Sequence, residues 1–111
     1  MEFTAVARDE EVQEGHALRR LVGGEPVALF RVGGQVYCID DTCTHAYASL
    51  SEGKVNGRIV TCPLHGGQFD IPTGRPVHLP VVEAVAVHPV RVEAGQVLVG
   101  YEPASEDDDY E

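Results

Sequence analysis

An all-β fold, a sandwich or small barrel, is what this sequence predicts, and three observations carry it. Short runs of alternating or β-branched residues recur at close intervals. Turn-forming pairs, among them Gly23-Gly24, Gly33-Gly34, Asn56-Gly57 and Ala94-Gly95, fall between those runs. No stretch of a dozen residues holds a 3.6-residue apolar period.

The first run covers residues 3–7. The string EEVQEGHALRR that follows offers at most a turn of helix near its start before a second strand at 17–22. Residues 27–32 and 35–39 flank Gly33-Gly34, which reads as a hairpin with a two-residue turn. Between 43 and 74 the rhythm breaks. CTHAYASLSEG and CPLHGGQFDIPTG are too polar and too rich in small residues for core strands, so they read as two loops joined by a hairpin over 54–61. Within this region 58–62 and 68–71 keep strand character. Residues 85–92 and 96–101 close the fold as a last hairpin, across Ala94-Gly95.

A chain of 111 residues makes one domain. That is too short for a second, separate catalytic domain. The formal net charge of −10 is concentrated at the end, where EPASEDDDYE (residues 102–111) holds six of the eighteen acids and no base. That tail has too little apolar surface to offset its ordering entropy and is expected to be disordered. The remaining twelve acids against eight bases make a poor match for the phosphates of nucleic acid or anionic lipid. A protein partner is the better match. The start carries acids where a signal peptide needs a basic region, and no apolar run is long enough to span a membrane. Three cysteines make no disulfide framework, and the cytoplasm is the expected location.

Two compact pairs carry the chemistry: Cys43-Thr44-His45 and Cys62-Pro63-Leu64-His65, with sixteen residues between His45 and Cys62. Two thiolates and two imidazoles can hold a tetrahedral zinc or an iron–sulfur cluster. Spacing favours the cluster. Structural zinc sites usually pair like ligands at two-to-five-residue spacings, whereas each loop here mixes Cys with His. A two-iron cluster whose one iron takes both sulfurs and whose other takes both nitrogens needs each loop to touch both irons, and mixed pairs do that.

CTH…CPLHG resembles the C-x-H…C-x-x-H motif of Rieske proteins. With DDTCTHAYASLSEG, CPLHGGQFDIPTG, RPVHLP and PVRVEAGQVLVGY, the chain from about Val27 is similar to the Rieske ferredoxins of bacterial multicomponent aromatic-ring dioxygenases. The resemblance implies a Rieske-type antiparallel β-sandwich over residues 1–101, with a small cluster-binding subdomain made of two loops at about 43–49 and 62–68. It implies one [2Fe–2S] cluster per chain, Cys43 and Cys62 on the inner iron, His45 and His65 on the outer one, and a covering loop over residues 74–80. It also implies an electron-transfer component, not an enzyme, that passes single electrons from a flavin-dependent ferredoxin reductase to a terminal oxygenase and works as a monomer.

High-potential members of the family carry a disulfide whose cysteines would fall at Ala48 and Leu64, and hydroxyl donors at the positions of Gly67 and Phe69. None is present here, so the resemblance implies a low potential. The alternatives are the small subunit of an assimilatory nitrite reductase and, in a different class, a zinc-stabilised interaction module.

Other polar candidates read as structural. Cys38 lies in a strand and is expected to be a small buried hydrophobe. His16, His78 and His88 lie outside the motif, and Asp40 and Asp41 precede the first ligand loop, where Asp caps turns. Tyr47 and Phe69 are expected to pack around the cluster.

Overall fold

A computed structural model describes residues 2–44 and 47–101; the acidic tail and His45 lie outside the described residues. Eleven strands form three antiparallel sheets. The first sheet joins β1 (Phe3–Arg8), β11 (Gln96–Gly100) and β10 (Val90–Glu93) in that order, the two chain ends meeting through the β1–β11 pair. The second runs β2 (Ala17–Val22), β3 (Glu25–Val32), β4 (Gln35–Asp40) and β9 (Val87–His88). The third joins β5 (Lys54–Asn56), β6 (Ile59–Thr61), β7 (Gln68–Asp70) and β8 (Pro76–His78), with the Cys62–His65 loop between β6 and β7.

The second sheet is the middle layer. Along β3 Val27, Ala28, Leu29 and Phe30 are all 0% exposed. Side chains alternate across a strand, so two buried faces demand an unbroken apolar run. Val27 and Leu29 pack with Val36, Cys38, Val97 and Val99 towards the first sheet. Ala28 and Phe30 pack with Ile39, Val60, Phe69 and Ile71 towards the third. Cys38 is thus a core residue, on the face away from the ligand loops. Burial, helped by Asp40, pushes its thiol up to about 12, which suits an inert hydrophobe.

The turns follow the sequence. Gly33 and Gly34 have φ of 59° and 85°, the left-handed pair that a two-residue hairpin turn requires. In the stretch read as a possible helical turn, only a 3₁₀ turn forms, at Asp9–Glu11. Arg31 ties it to β3 by donating to the carbonyls of Val12 (2.6 Å) and Asp9 (2.9 Å).

Two expectations need correction. Residues 85–92 are not one strand: Pro89 has no N–H for a ladder and divides them. Val87–His88 pairs with β4 in the middle sheet, while Val90–Glu93 pairs with β11 in the first. Residues 76–78, read as loop, form β8 along β7. The β4–β9 pair also places the two ends of the ligand-bearing region together, with the Asp40 N–H donating to the Ala86 carbonyl at 3.0 Å.

Because the middle sheet serves two cores, its two faces separate by mutation. Leu29→Ala should cost about 2–5 kcal/mol and Phe30→Ala about 3–5 kcal/mol in urea unfolding. Only Phe30→Ala should also reduce the metal bound per chain, since Phe30 shares a core with Cys43 and Cys62.

Candidate metal centre

The first ligand loop grows from a buried carboxylate. As β4 ends, Asp41 turns inward and is 2% exposed. Its carboxylate accepts from the Ser49 hydroxyl, from the Ser51 N–H at 2.8 Å and from Arg19 Nε at 3.2 Å. Its own N–H donates to the Pro26 carbonyl, and its carbonyl accepts from Leu50. Buried charge survives only when paired and hydrogen-bonded, and every partner here belongs to the loop or to the sheet beneath it. The turn-capping expectation for Asp41 therefore holds on a larger scale: one side chain fixes both ends of the loop. Asp40 points elsewhere, with its carboxylate 2.7 Å from His88 Nε2.

The two loops close alike. The Cys43 N–H donates to the Ala48 carbonyl at 3.0 Å, and the Cys62 N–H to the Gly67 carbonyl at 2.7 Å. In each case a cysteine bonds to the carbonyl five residues on, leaving a small lobe that carries its histidine. At the base of the second loop Gln68 Nε2 donates to Thr61 Oγ1 at 3.1 Å. At the tip His65 has a φ of 73°, uncommon for a residue with a side chain, and Gly66 follows at 77°. His65 is exposed.

Cys43 and Cys62 come together in the core shared with Phe69, Leu50, Val81 and Val85. Burial pushes the Cys62 thiol above its ordinary range. The Leu64 N–H donating to its sulfur pulls the other way, and the neighbouring Cys43 sulfur raises it again. The buried Cys62 thiol has little reason to ionise on its own; a metal that takes it as a thiolate removes that penalty. The donor set therefore fits a cluster whose sulfur end is buried, with the His65 imidazole exposed at its edge. Among the described residues no three His, Cys, Asp or Glu side chains converge on one point, and His45 lies outside them. All three cysteines are free and buried.

Phe69 packs on the cysteines as expected, but Tyr47 does not: it is 100% exposed at the lobe of the first loop. The chain just beyond residues 74–80 also reaches the cysteines. Val81 and Val85 are the residues that reach the cysteine core, and Thr44 Oγ1 donates to the Glu83 carbonyl at 2.9 Å. Sequence reading missed Val81, Val85, Ser49, Ser51 and Arg19. Only the Asp-Ser-Ser spacing around the first loop hinted at a network.

The third sheet has its own ion pair. Asp70 accepts from Arg58 Nε at 2.5 Å and from Thr73 Oγ1 at 2.6 Å. The Arg58 hydrogen bond, against the opposing effect of burial, holds the Asp70 carboxyl below the usual range.

A family model described as the Rieske [2Fe–2S] domain matches residues 2–89. Ferredoxin CarAc of Metapseudomonas resinovorans is 43% identical over 99 residues, covering 87% of this chain and 92% of that protein. A ferredoxin solved in complex with the oxygenase of carbazole 1,9a-dioxygenase superposes with a TM-score of 0.82 at 42% identity, over 87% of this chain and all of that one. A chain described as a nitrite reductase (NADPH) small subunit has a TM-score of 0.74 over 91% of this chain and all of that one, but at 24% identity it shows the fold alone.

Asp41→Ala should leave the Ser49 and Ser51 donors without an acceptor, cost about 1–3 kcal/mol and lower metal content; Asp41→Asn, which keeps one acceptor oxygen, should cost less. Asp70 sets a pH window. A carboxyl depressed in the folded state adds stability that is full above its unfolded value of about 3.9 and is lost as pH falls through the lower folded value. Asp70→Asn should therefore be less stable than the parent at neutral pH in urea titrations, and the two curves should converge in strong acid.

Proposed function

Because this chain belongs to the Rieske [2Fe–2S] domain family, we propose that Cys43, His45, Cys62 and His65 ligate one [2Fe–2S] cluster per chain. The protein is an electron-transfer component of the ferredoxin type found in dioxygenase systems, not a catalyst in its own right. The bound cluster supplies reversible one-electron chemistry. The observation that carries the ligand assignment is the placement of Cys43 and Cys62 in one buried core at the base of two loops that close alike, with His65 exposed at the tip of the second.

The chain's own residues divide the work. Cys43 and Cys62 keep the sulfur end in an apolar surrounding, where Phe69, Val81 and Val85 exclude water. The Leu64 N–H donates to the Cys62 sulfur and eases the extra negative charge of the reduced state. The exposed His65 imidazole gives the electron a short route to a docked protein.

We assign the donor as a flavin-dependent ferredoxin reductase and the acceptor as a terminal oxygenase, both docking on the rim of residues 43–49 and 62–68. That rim is more apolar than its sequence suggested: Tyr47 and Leu64 are exposed on it, with Leu79 (69%) and Val82 (73%) exposed on the covering segment. Hydrophobic contact therefore contributes more to docking than the charges of Glu52 and Lys54. Residues 1–101 form the working domain, as a monomer in the cytoplasm, and 102–111 a dispensable tail. No helix among the described residues is long and apolar enough to cross a membrane.

Two irons and two acid-labile sulfides per chain are expected, with a reduced-state EPR signal whose average g lies below that of an all-cysteine cluster. His45→Ala and His65→Ala should abolish it, while His16→Ala and a chain ending at Tyr101 should keep it. One zinc and no iron would overturn the assignment.

The midpoint potential should lie well below +100 mV, towards the bottom of the family span of roughly −150 to +300 mV. Tyr47→Ser should leave that midpoint unchanged and raise the KM of the oxygenase for the ferredoxin roughly tenfold, as loss of an aromatic anchor does. An unchanged KM would remove Tyr47 from the docking face.

A further inference from the structure

Segment 79–85 crosses the buried thiols without any strand ladder. It buries two side chains, Val81 and Val85, and leaves Val82, Glu83 and Ala84 in solvent. Three attachments hold it. The Val85 N–H donates to the Gly74 carbonyl at 2.8 Å, and Thr44 Oγ1 donates to the Glu83 carbonyl at 2.9 Å. The third attachment is a space. A Cβ at Gly67 would stand 2.6 Å from Val81 Cγ1, 3.2 Å from its Cγ2 and 3.3 Å from its Cβ. Gly67 is not among the glycines with positive φ, so its backbone would accept a side chain. Only Val81 forbids one. Val81 is β-branched and buried, with a single stiff torsion and little freedom to swing aside.

We propose that Gly67 and Thr44 are positioning residues that clamp segment 79–85 over Cys43 and Cys62, and that this clamp sets how far water reaches the sulfur end of the centre. Each ligand loop supplies one jaw: the second offers a seat for Val81, the first a hydroxyl for the Glu83 carbonyl. Without a ladder the strap has few contacts to set against the entropy of ordering its backbone, so loss of one jaw loosens the whole segment. The effect on the centre rests on the cluster assignment above. The reduced state carries one more negative charge than the oxidised state, so water reaching the sulfurs favours reduction, and a loosened strap raises the potential.

The test uses the iron-loaded protein and four variants, with hydrogen exchange at the Val85 amide as the readout independent of redox function. In Gly67→Ala that amide should exchange at least tenfold faster than in the parent. The visible chromophore should be lost several-fold faster to an iron chelator, and the midpoint should shift upward. Gly67→Ala/Val81→Ala removes both Cγ atoms that the new methyl would meet, and should return all three readouts towards the parent. Thr44→Val keeps the shape but not the hydroxyl and should speed exchange at Val85, whereas Thr44→Ser should not; this pair decides the matter if Gly67→Ala does not fold. Parental exchange and chelator resistance in both Gly67→Ala and Thr44→Val, or a double variant worse than Gly67→Ala, would overturn the clamp. A parent protein that binds no iron would instead overturn the cluster assignment, while the exchange comparison would still report on the clamp.

Discussion

The architecture is built around a middle sheet whose central strand, β3, is buried on both faces. Because β3 buries Val27, Ala28, Leu29 and Phe30 in succession, both faces of the middle sheet must be covered. One face packs against the sheet of β1, β10 and β11, the other against the sheet that holds the Cys62–His65 loop. A small domain has little apolar area to spend, and sharing one sheet between two cores lets about a hundred residues make three layers. Cys43 and Cys62 then sit in a core that exists for folding. Their dryness comes from the architecture and not from a dedicated pocket.

Within that frame, polarity is graded along each loop. The bases are locked by buried or half-buried groups, Asp41 with its serines on one side and the Thr61–Gln68 contact on the other. The cysteines lie just above, in apolar surroundings. The lobes carry exposed side chains: Tyr47 on the first loop, Leu64 and His65 on the second. Such a gradient suits a centre that must hold its charge change away from water on one side and hand an electron to another protein on the other. Main-chain closure at the same offset in both loops means that neither cysteine N–H is free to donate to its own neighbourhood of sulfurs. The Leu64 N–H does donate to the Cys62 sulfur.

Much of this was legible in the residues. The Gly-Gly turns, the alternating runs and the mixed Cys/His pairs each imply one local geometry, and the strands and free buried thiols follow them. What was not legible depended on partners distant in sequence. Pro89 is visible as a strand breaker, but that its two sides join different sheets depends on where β4 and β11 lie. Tyr47 looked like packing because aromatic residues near a centre usually are, but it is fully exposed. Val81 and Val85 carry no motif at all. Their role follows from a strap that crosses back over loops encoded a few tens of residues earlier, and Gly67 shows its purpose only beside Val81.

The meeting of Asp40 and Ala86 has an architectural reading. Strands β4 and β9 are neighbours, so the stretch between them leaves the middle sheet and returns to it at one place. Everything that handles the electron, both loops, their sheet and the strap, is thus a single cassette plugged into a frame built from the two ends of the chain. A cassette with adjoining entry and exit can be lengthened, trimmed or replaced without re-threading its host. The frame, in turn, can accept changes at its termini without disturbing the wiring.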